Sequence, residues 1–264
     1  MNILLPNRYN SQRRFSSLSQ LFILNQIKTI QETKKIEHLT DAEIAGIFHL
    51  TKPFYIDSSN VVARELKHND TIYLLKDNSS TIVSFFMVNW EKHIIQSMKR
   101  DVVYLGLSCA AQNHQEKHLA SKVYYHFTKD AFSYEEETGE KLMLYGTTAT
   151  PVVLLTLSKI WDDVKPETDG SYSHSDKVLI EDIKRSSGLD KFSSDHPFVL
   201  KGIATDTKYA VAEETRLKEF QIKHSIKIFK TLKINEANGD RLLITCKVPG
   251  KTKLDILRTK LFGQ

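Results

Sequence analysis

The residues best equipped for chemistry fall in two short stretches, 102–121 and 142–161. Cys109 could serve as a nucleophile with His114 or His118 as its base, because a thiol attacks only as its thiolate. A free cysteine is more often a small buried hydrophobe, and Cys109 reads that way. His114 and His118 stand four apart, a spacing that sets two imidazoles on one helical face as zinc ligands are set. Gln115 occupies the place where a metalloprotease needs glutamate, and no third ligand is evident, so no metal is expected. Thr147, Thr148 and Thr150 crowd a strand-to-helix turn, where their hydroxyls can face a substrate or Thr150 can cap the helix. Ser171, His174 and Asp176 lie close together in a polar loop, but nearness in sequence does not make a triad.

More content lies in the order of elements around residue 110. The run 102–109 is an apolar strand, and a polar loop leads from it into a helix over 117–134. Leu119, Val123, Phe127 and Ala131 recur every four positions there and form one buried face. Such a junction presents free amides and the positive end of a helix dipole, both of which favour anions. Lys117 at that positive end is unfavourable unless an anion lies near. A short strand begins at Leu142, and Pro151 opens a helix over 151–160 from the first helical position, where proline fits.

Gln115, His118 and Ala120, placed between that strand and that helix, resemble the Gln/Arg-x-x-Gly-x-Gly/Ala loop of the GNAT superfamily of acyl-CoA N-acyltransferases. The resemblance covers roughly residues 39–161. It implies that the loop amides hold the pyrophosphate of coenzyme A and that the strand splits from its neighbour to admit the pantetheine arm. Cys109, Ala110 and Ala111 would then serve the acyl and pantetheine portion, a backbone amide there polarising the thioester carbonyl. Gln115, Lys117, His118, Leu119 and Ala120 would serve the pyrophosphate. Two departures stand out. His118 replaces the first glycine of the motif, and the chain has no glycine between Gly106 and Gly139. Leu157 occupies the position where many members carry a tyrosine acid. Tyr145 and Tyr172 are possible substitutes, so no catalytic residue is assigned.

The implied activity is transfer of an acyl group, acetyl or another, from acyl-CoA as donor to a small-molecule or peptide amine by direct attack on the thioester. The alternative is a GNAT-fold binding protein that has lost catalysis, which both departures favour.

The remaining elements are those that would position these residues. Thr40, Asp41 and Glu43 open a helix that runs towards Leu50 and stops at Pro53. Residues 71–75 and 81–88 are rich in β-branched and aromatic types around the turn at Asp77, and predict a hairpin. Residues 162–195 form a polar excursion with a short helix near 178–185, expected to lie on the acceptor side. Beyond it, a helix over 208–222, a strand over 226–234, a turn at Gly239, a strand over 241–248 and a basic tail helix are expected. The fold class is therefore α/β: a GNAT-like α/β/α sandwich around a mixed, mostly antiparallel sheet, occupying residues 39–264.

Bulk properties agree with a water-soluble enzyme-sized chain. It has 264 residues, 41% hydrophobic and 26% charged, with 37 Lys and Arg against 32 Asp and Glu. A net charge of +5 without a basic stretch interleaved with aromatics gives no expectation of nucleic-acid binding. Two distant cysteines, Cys109 and Cys246, suit a reducing compartment, and no apolar run is membrane-length. Residues 1–31 carry Arg8, Arg13, Arg14 and Lys28 but no acid. That makes 1–38 an N-terminal extension, either a helix appended to the domain or a transit-like segment. The expected location is cytoplasmic, or an organelle if the latter holds.

Overall fold

The computed structural model describes residues 29–112, 118–224 and 226–263. Its first helix, α1 (Asp41–Thr51), starts where the sequence says it must. Thr40 Oγ1 accepts from the Glu43 amide, and the Glu43 carboxylate accepts from the Thr40 amide at 2.9 Å. This reciprocal pair satisfies two amides that the first turn leaves free. A second helix, α2 (Ser58–His68), follows with Asp57 as its cap.

The hairpin of β2 (Thr71–Lys76) and β3 (Ile82–Ile95) forms as predicted, and β4 (Met98–Ala110) extends it antiparallel. Side chains along β2 and β3 alternate between two cores. Tyr73, Leu75, Phe86 and Val88 enter one; Ile72, Leu74, Phe85 and Met87 enter the other. Both faces are covered, which is why these strands read as continuous apolar runs instead of alternating ones. Helices α1 and α2 cover one face. The long helix α3 (Leu119–Thr138), α4 (Pro151–Ile160) and the C-terminal α8 (Lys251–Phe262) contribute to the core of the other.

An edge strand, β1 (Ile30–Lys35), pairs with β2, so part of the expected N-terminal extension completes the sheet. The rest of that extension, residues 1–28, lies outside the described residues. After β5 (Met143–Thr148) and α4 come β6 (Asp162–Lys165), α5 (His174–Ser186) and β7 (Val199–Leu200). Then follow α6 (Val211–Lys223), α7 (Ile228–Thr231) and β8 (Arg241–Lys247). The sheet order is β1-β2-β3-β4-β5-β8-β6, with β7 also on β8. Among the described pairings only β4 with β5 is parallel. This is the mixed, mostly antiparallel sandwich the sequence implied.

No pattern in the sequence marks α2, β1, β6 or β7, and one expected element takes another form. The strand expected over 226–234 is instead the single helical turn α7, with Ile228 and Phe229 buried. The segment does not join β8, the following strand, which is already paired with β5 on one side and with β6 and β7 on the other. The polar trio Ser171, His174 and Asp176 also resolves into structure. Ser173 and Asp176 make a second reciprocal cap, which starts α5 at His174.

Candidate functional site

The site begins where β4 and β5 part. They pair from Val102 with Met143 to Leu105 with Gly146. Beyond that point β4 continues only against β3, as far as Ala110, and β5 continues only against β8, as far as Thr148. A fork therefore opens inside the sheet. Gly146 sits at its apex, where an added Cβ would lie 2.8 Å from the carbonyl oxygen of Leu105. The strands approach there more closely than any side chain at that position allows.

The same place carries a bulge. Leu105 faces Val88 and Ser108 faces Phe86, so Gly106 and Leu107 of β4 stand against Met87 alone. An extra residue breaks the ladder locally and re-aims the backbone, and bulges of this kind are concentrated beside active sites. A Cβ at Gly106 would meet the Asn69 side chain at 2.2 Å, so any larger residue there must displace Asn69. A cleft of about 140 Å³ occupies the fork. Gly106, Leu107 and Ser108 form one wall, and Thr147, Thr148 and Ala149 the other.

The fork opens to both helical layers, and their chemistry differs. Towards α3 and α4 the lining is Phe86, Tyr124, Val153, Leu157 and Trp161. Tyr124 Oη and Ser108 Oγ are 2.5 Å apart, and the Tyr124 ring stands edge-on to Phe86. Burial pushes the Tyr124 phenol up to about 12, with the Ser108 bond pulling the other way. It is a neutral donor at physiological pH. Towards α2 the lining is polar: Tyr55, Arg64, Glu65, Tyr104, Thr207, Tyr209 and Arg241. Glu65 accepts from Asn69 Nδ2 at 3.3 Å and from Arg64 at 3.4 Å, long contacts that leave its oxygens capacity to accept more. Tyr55 and Tyr209 stack at 5.2 Å. Burial, with each ring's anionic neighbours, holds both phenols well above their ordinary value, so they too stay protonated.

The residues singled out in the sequence are placed as follows. Cys109 is buried on the α1 side, its Sγ 3.7 Å from the Leu50 carbonyl, and burial pushes the thiol far up. It is the core thiol it was read to be. Ala110 and Ala111 lie beyond the fork, where β4 is held to β3; the Ala111 amide donates to Val83. Gln115 and Lys117, like His114, lie outside the described residues. His118 is exposed with φ +54°, and it directly precedes α3. The position where the resemblance would put glycine thus has a left-handed backbone, which histidine is among the residues to tolerate. Leu119 is buried in the core and Ala120 packs against it.

One turn on, Lys122 is buried, with its ammonium 5.5 Å from the centre of the Phe262 ring. Burial lowers its pKa, and among the described residues no carboxylate lies within 4 Å of it. Thr147 and Thr148 do line the cleft. Thr150 makes no side-chain cap; Thr148 Oγ1 instead accepts from the Thr150 amide at 3.0 Å. Tyr145 is turned away, donating to Glu91 at 2.7 Å, and Tyr172 packs on His196 and Phe198. Leu157 does reach the cleft, as an apolar wall. No residue of the 162–195 excursion lines it; Ala204, Thr207 and Tyr209 come from the segment that follows.

Among the described residues no cluster of three or more histidine, cysteine or acidic side chains could hold a metal ion. None of their helices is long and apolar enough to cross a membrane.

No family model matches the chain, and no curated protein matches it. Solved structures do. The ribosomal-protein-S18-alanine N-acetyltransferase of Escherichia coli is 7% identical over 84% of this chain and 97% of its own, with a TM-score of 0.41. A GNAT family N-acetyltransferase of Escherichia coli in complex with CoA is 10% identical, covering 49% of this chain and 67% of its own, at 0.37. A probable N-acyltransferase of Enterococcus faecalis is 11% identical over 52% of this chain, at 0.37. The chain spans only a third of that protein's length, 33%.

Proposed function

We propose that this chain is an acyl-CoA-dependent N-acyltransferase whose reaction takes place in the fork between β4 and β5. The observation that carries the reading is the fork itself. A sheet gives up strand pairing inside its own body only at a cost, since interior amides and carbonyls left without partners are expensive. An extended amide-bearing arm such as pantetheine supplies those partners, pairing with the exposed edge of β4 as an added strand would. The left-handed His118, the start of α3 and the uncompensated Lys122 nearby suit the anionic end of the donor.

The two sides of the fork fit the two halves of a direct transfer. An ammonium on the α2 side gives a proton to Glu65, and the free amine attacks the thioester carbonyl. The carbon–nitrogen bond forms, the carbon–sulfur bond breaks, and the thiolate leaves towards the α3 side, where it takes up the equivalent of the second proton that the nitrogen sheds as the amide forms. Tyr124, hydrogen-bonded to Ser108 on that side of the cleft, relays this proton, giving its own to the sulfur as it takes up the one shed. A backbone amide freed by the bulge at Gly106 and Leu107 stabilises the oxyanion. This moves the polarising amide from 109–111 back to the fork. The acyl chain carried and the identity of the amine, small molecule or peptide, belong to this same proposal.

Leu157 supports a second reading, in which the chain binds acyl-CoA without turning it over, because a hydrocarbon side chain cannot protonate a thiolate. Calorimetric titration with acetyl-CoA and free CoA, followed by a thiol-release assay over a panel of amines, separates the possibilities. Micromolar binding with thiol release supports the transferase, and binding without release supports the second reading. Absence of binding to either ligand refutes both.

A further inference from the structure

Arg241, the first residue of β8, is 5% exposed and lines the polar side of the cleft. Its guanidinium donates to two carbonyls, Asp240 O at 2.8 Å and Thr207 O at 3.3 Å. Among the described residues no carboxylate oxygen lies within 4 Å of it. Other ions nearby are matched: the buried Glu213 has Arg216, the buried Asp240 has Lys201, and the half-buried Arg64 has Asp206. Carbonyl dipoles satisfy individual N–H groups but do not cancel a full charge, and a buried charge without a counter-ion is strongly disfavoured. Glu236 is a carboxyl on which the charge of Arg241 acts. Burial pushes that carboxyl up to about 7, against the pull of Arg241, so near neutrality it neutralises only part of the guanidinium's charge.

The surroundings make this a built pocket instead of a surface accident. The strap over residues 204–210 is tied down at both ends: Ala204 N to Gly239 O at 3.0 Å, and Ala210 N to Phe54 O at 2.9 Å. Arg64 holds its middle through Asp206 and Thr207. The strap brings the Tyr209 ring onto Tyr55 and closes the wall opposite Glu65. One cleft therefore presents a carboxylate, Glu65, and an unmatched guanidinium, Arg241, between neutral phenols that can only donate to an anion or stack.

We propose that the acceptor is an amine that also carries an anionic group, carboxylate or phosphate, and that this group pairs with Arg241 while the ammonium faces Glu65. The assignment of the ligand as acceptor rests on the transferase reading; the anion pocket does not. A fork-like carboxylate or phosphate suits the planar fork of arginine, which also makes lysine a poor replacement.

The test is calorimetry on the full chain without any acyl donor. β-Alanine and phosphoethanolamine are compared with propylamine and ethanolamine, each titrated to about 10 mM. At least one anionic amine is expected to bind about tenfold more tightly than its neutral partner, and which of the two wins separates carboxylate from phosphate. Arg241→Gln should abolish that preference, and Arg241→Lys should weaken it several-fold. The wild-type comparison decides the matter even where a variant fails to fold. Equal binding of anionic and neutral amines, no binding of either anionic amine, or an undiminished preference in folded Arg241→Gln overturns the proposal. Anion preference in a protein that ignores acetyl-CoA sinks the transferase reading alone. Acetyl-CoA binding without anion preference sinks this one alone.

Discussion

Replacing Glu43 by glutamine should destabilise the fold by an amount that depends on pH in a specific way. Glu43 is 8% exposed and accepts from Lys34 at 2.6 Å, Lys76 at 2.9 Å and the Thr40 amide at 2.9 Å. Burial raises its carboxyl, but these bonds outweigh burial and hold it at about 2, against an ordinary 4.5. At about 1.4 kcal/mol per pH unit the displacement corresponds to ~3 kcal/mol. Solvent reaches the Lys34 side chain, 29% exposed, which reduces the net contribution to about 2 kcal/mol.

The group's pKa is depressed by folding, so this stability is fully present above about pH 4.5 and disappears as the pH falls through 2. Glutamine still offers an oxygen to the Thr40 amide, so Glu43→Gln isolates the charge from the cap. Urea unfolding followed by circular dichroism should show the variant about 2 kcal/mol weaker at pH 7 and pH 5. The difference should shrink steadily at pH 4 and pH 3. A difference that stays constant from pH 7 to pH 3 would mean that packing or capping, not the charge pairs, is what Glu43 contributes, and the reasoning would fail.

Three further outcomes follow from the cleft and the start of α3, the last two resting on the proposed transferase reading. Gly146→Ala places a Cβ 2.8 Å from the Leu105 carbonyl oxygen and should cost about 1–3 kcal/mol, read as a fall in Tm of several degrees; an unchanged Tm would show that the apex is not tight. Tyr124→Phe removes the partner of Ser108 and should lower kcat by about tenfold or more with little change in KM for the donor, whereas a pure rise in KM would make Tyr124 a binding residue only. His118→Glu, at the start of α3, should weaken acetyl-CoA binding by about tenfold through repulsion of the donor's anionic end, and unaltered affinity in calorimetry would move the phosphate site elsewhere.

Much of the framework could be read directly from residue order. Thr40 with Glu43, the β-branched run on either side of Asp77, Pro151 at a first helical position and the run after Gly239 each encode their element through nearest-neighbour chemistry. They appear where they were expected. Helix α2 escaped because only Val61 and Val62 among its residues are buried, too few to print a period. With it went Arg64 and Glu65, which no local pattern marks as site residues. The polar trio before α5 and the alternation near 226–234 misled for a related reason, since short-range pattern does not say which edges or caps remain to be used.

The sequence by itself determined the class of fold and the position of the strand-loop-helix junction at 102–120; the left-handed backbone of His118 is visible only in the structure. Only the tertiary structure assembles the cleft in which the proposed chemistry would sit. Part of its lining, 104–108, 146–149, 153, 157 and 161, comes from the two stretches the sequence singled out, but most of the polar side comes from segments near 55–65, 204–209 and 241 that no motif or spacing marks. They converge because β5 turns its second edge to β8 while a bulge bends β4 towards β3, so two strands that run parallel as far as Gly146 must then diverge. Strand order and bulge position are properties of the whole sheet, and the cleft inherits them.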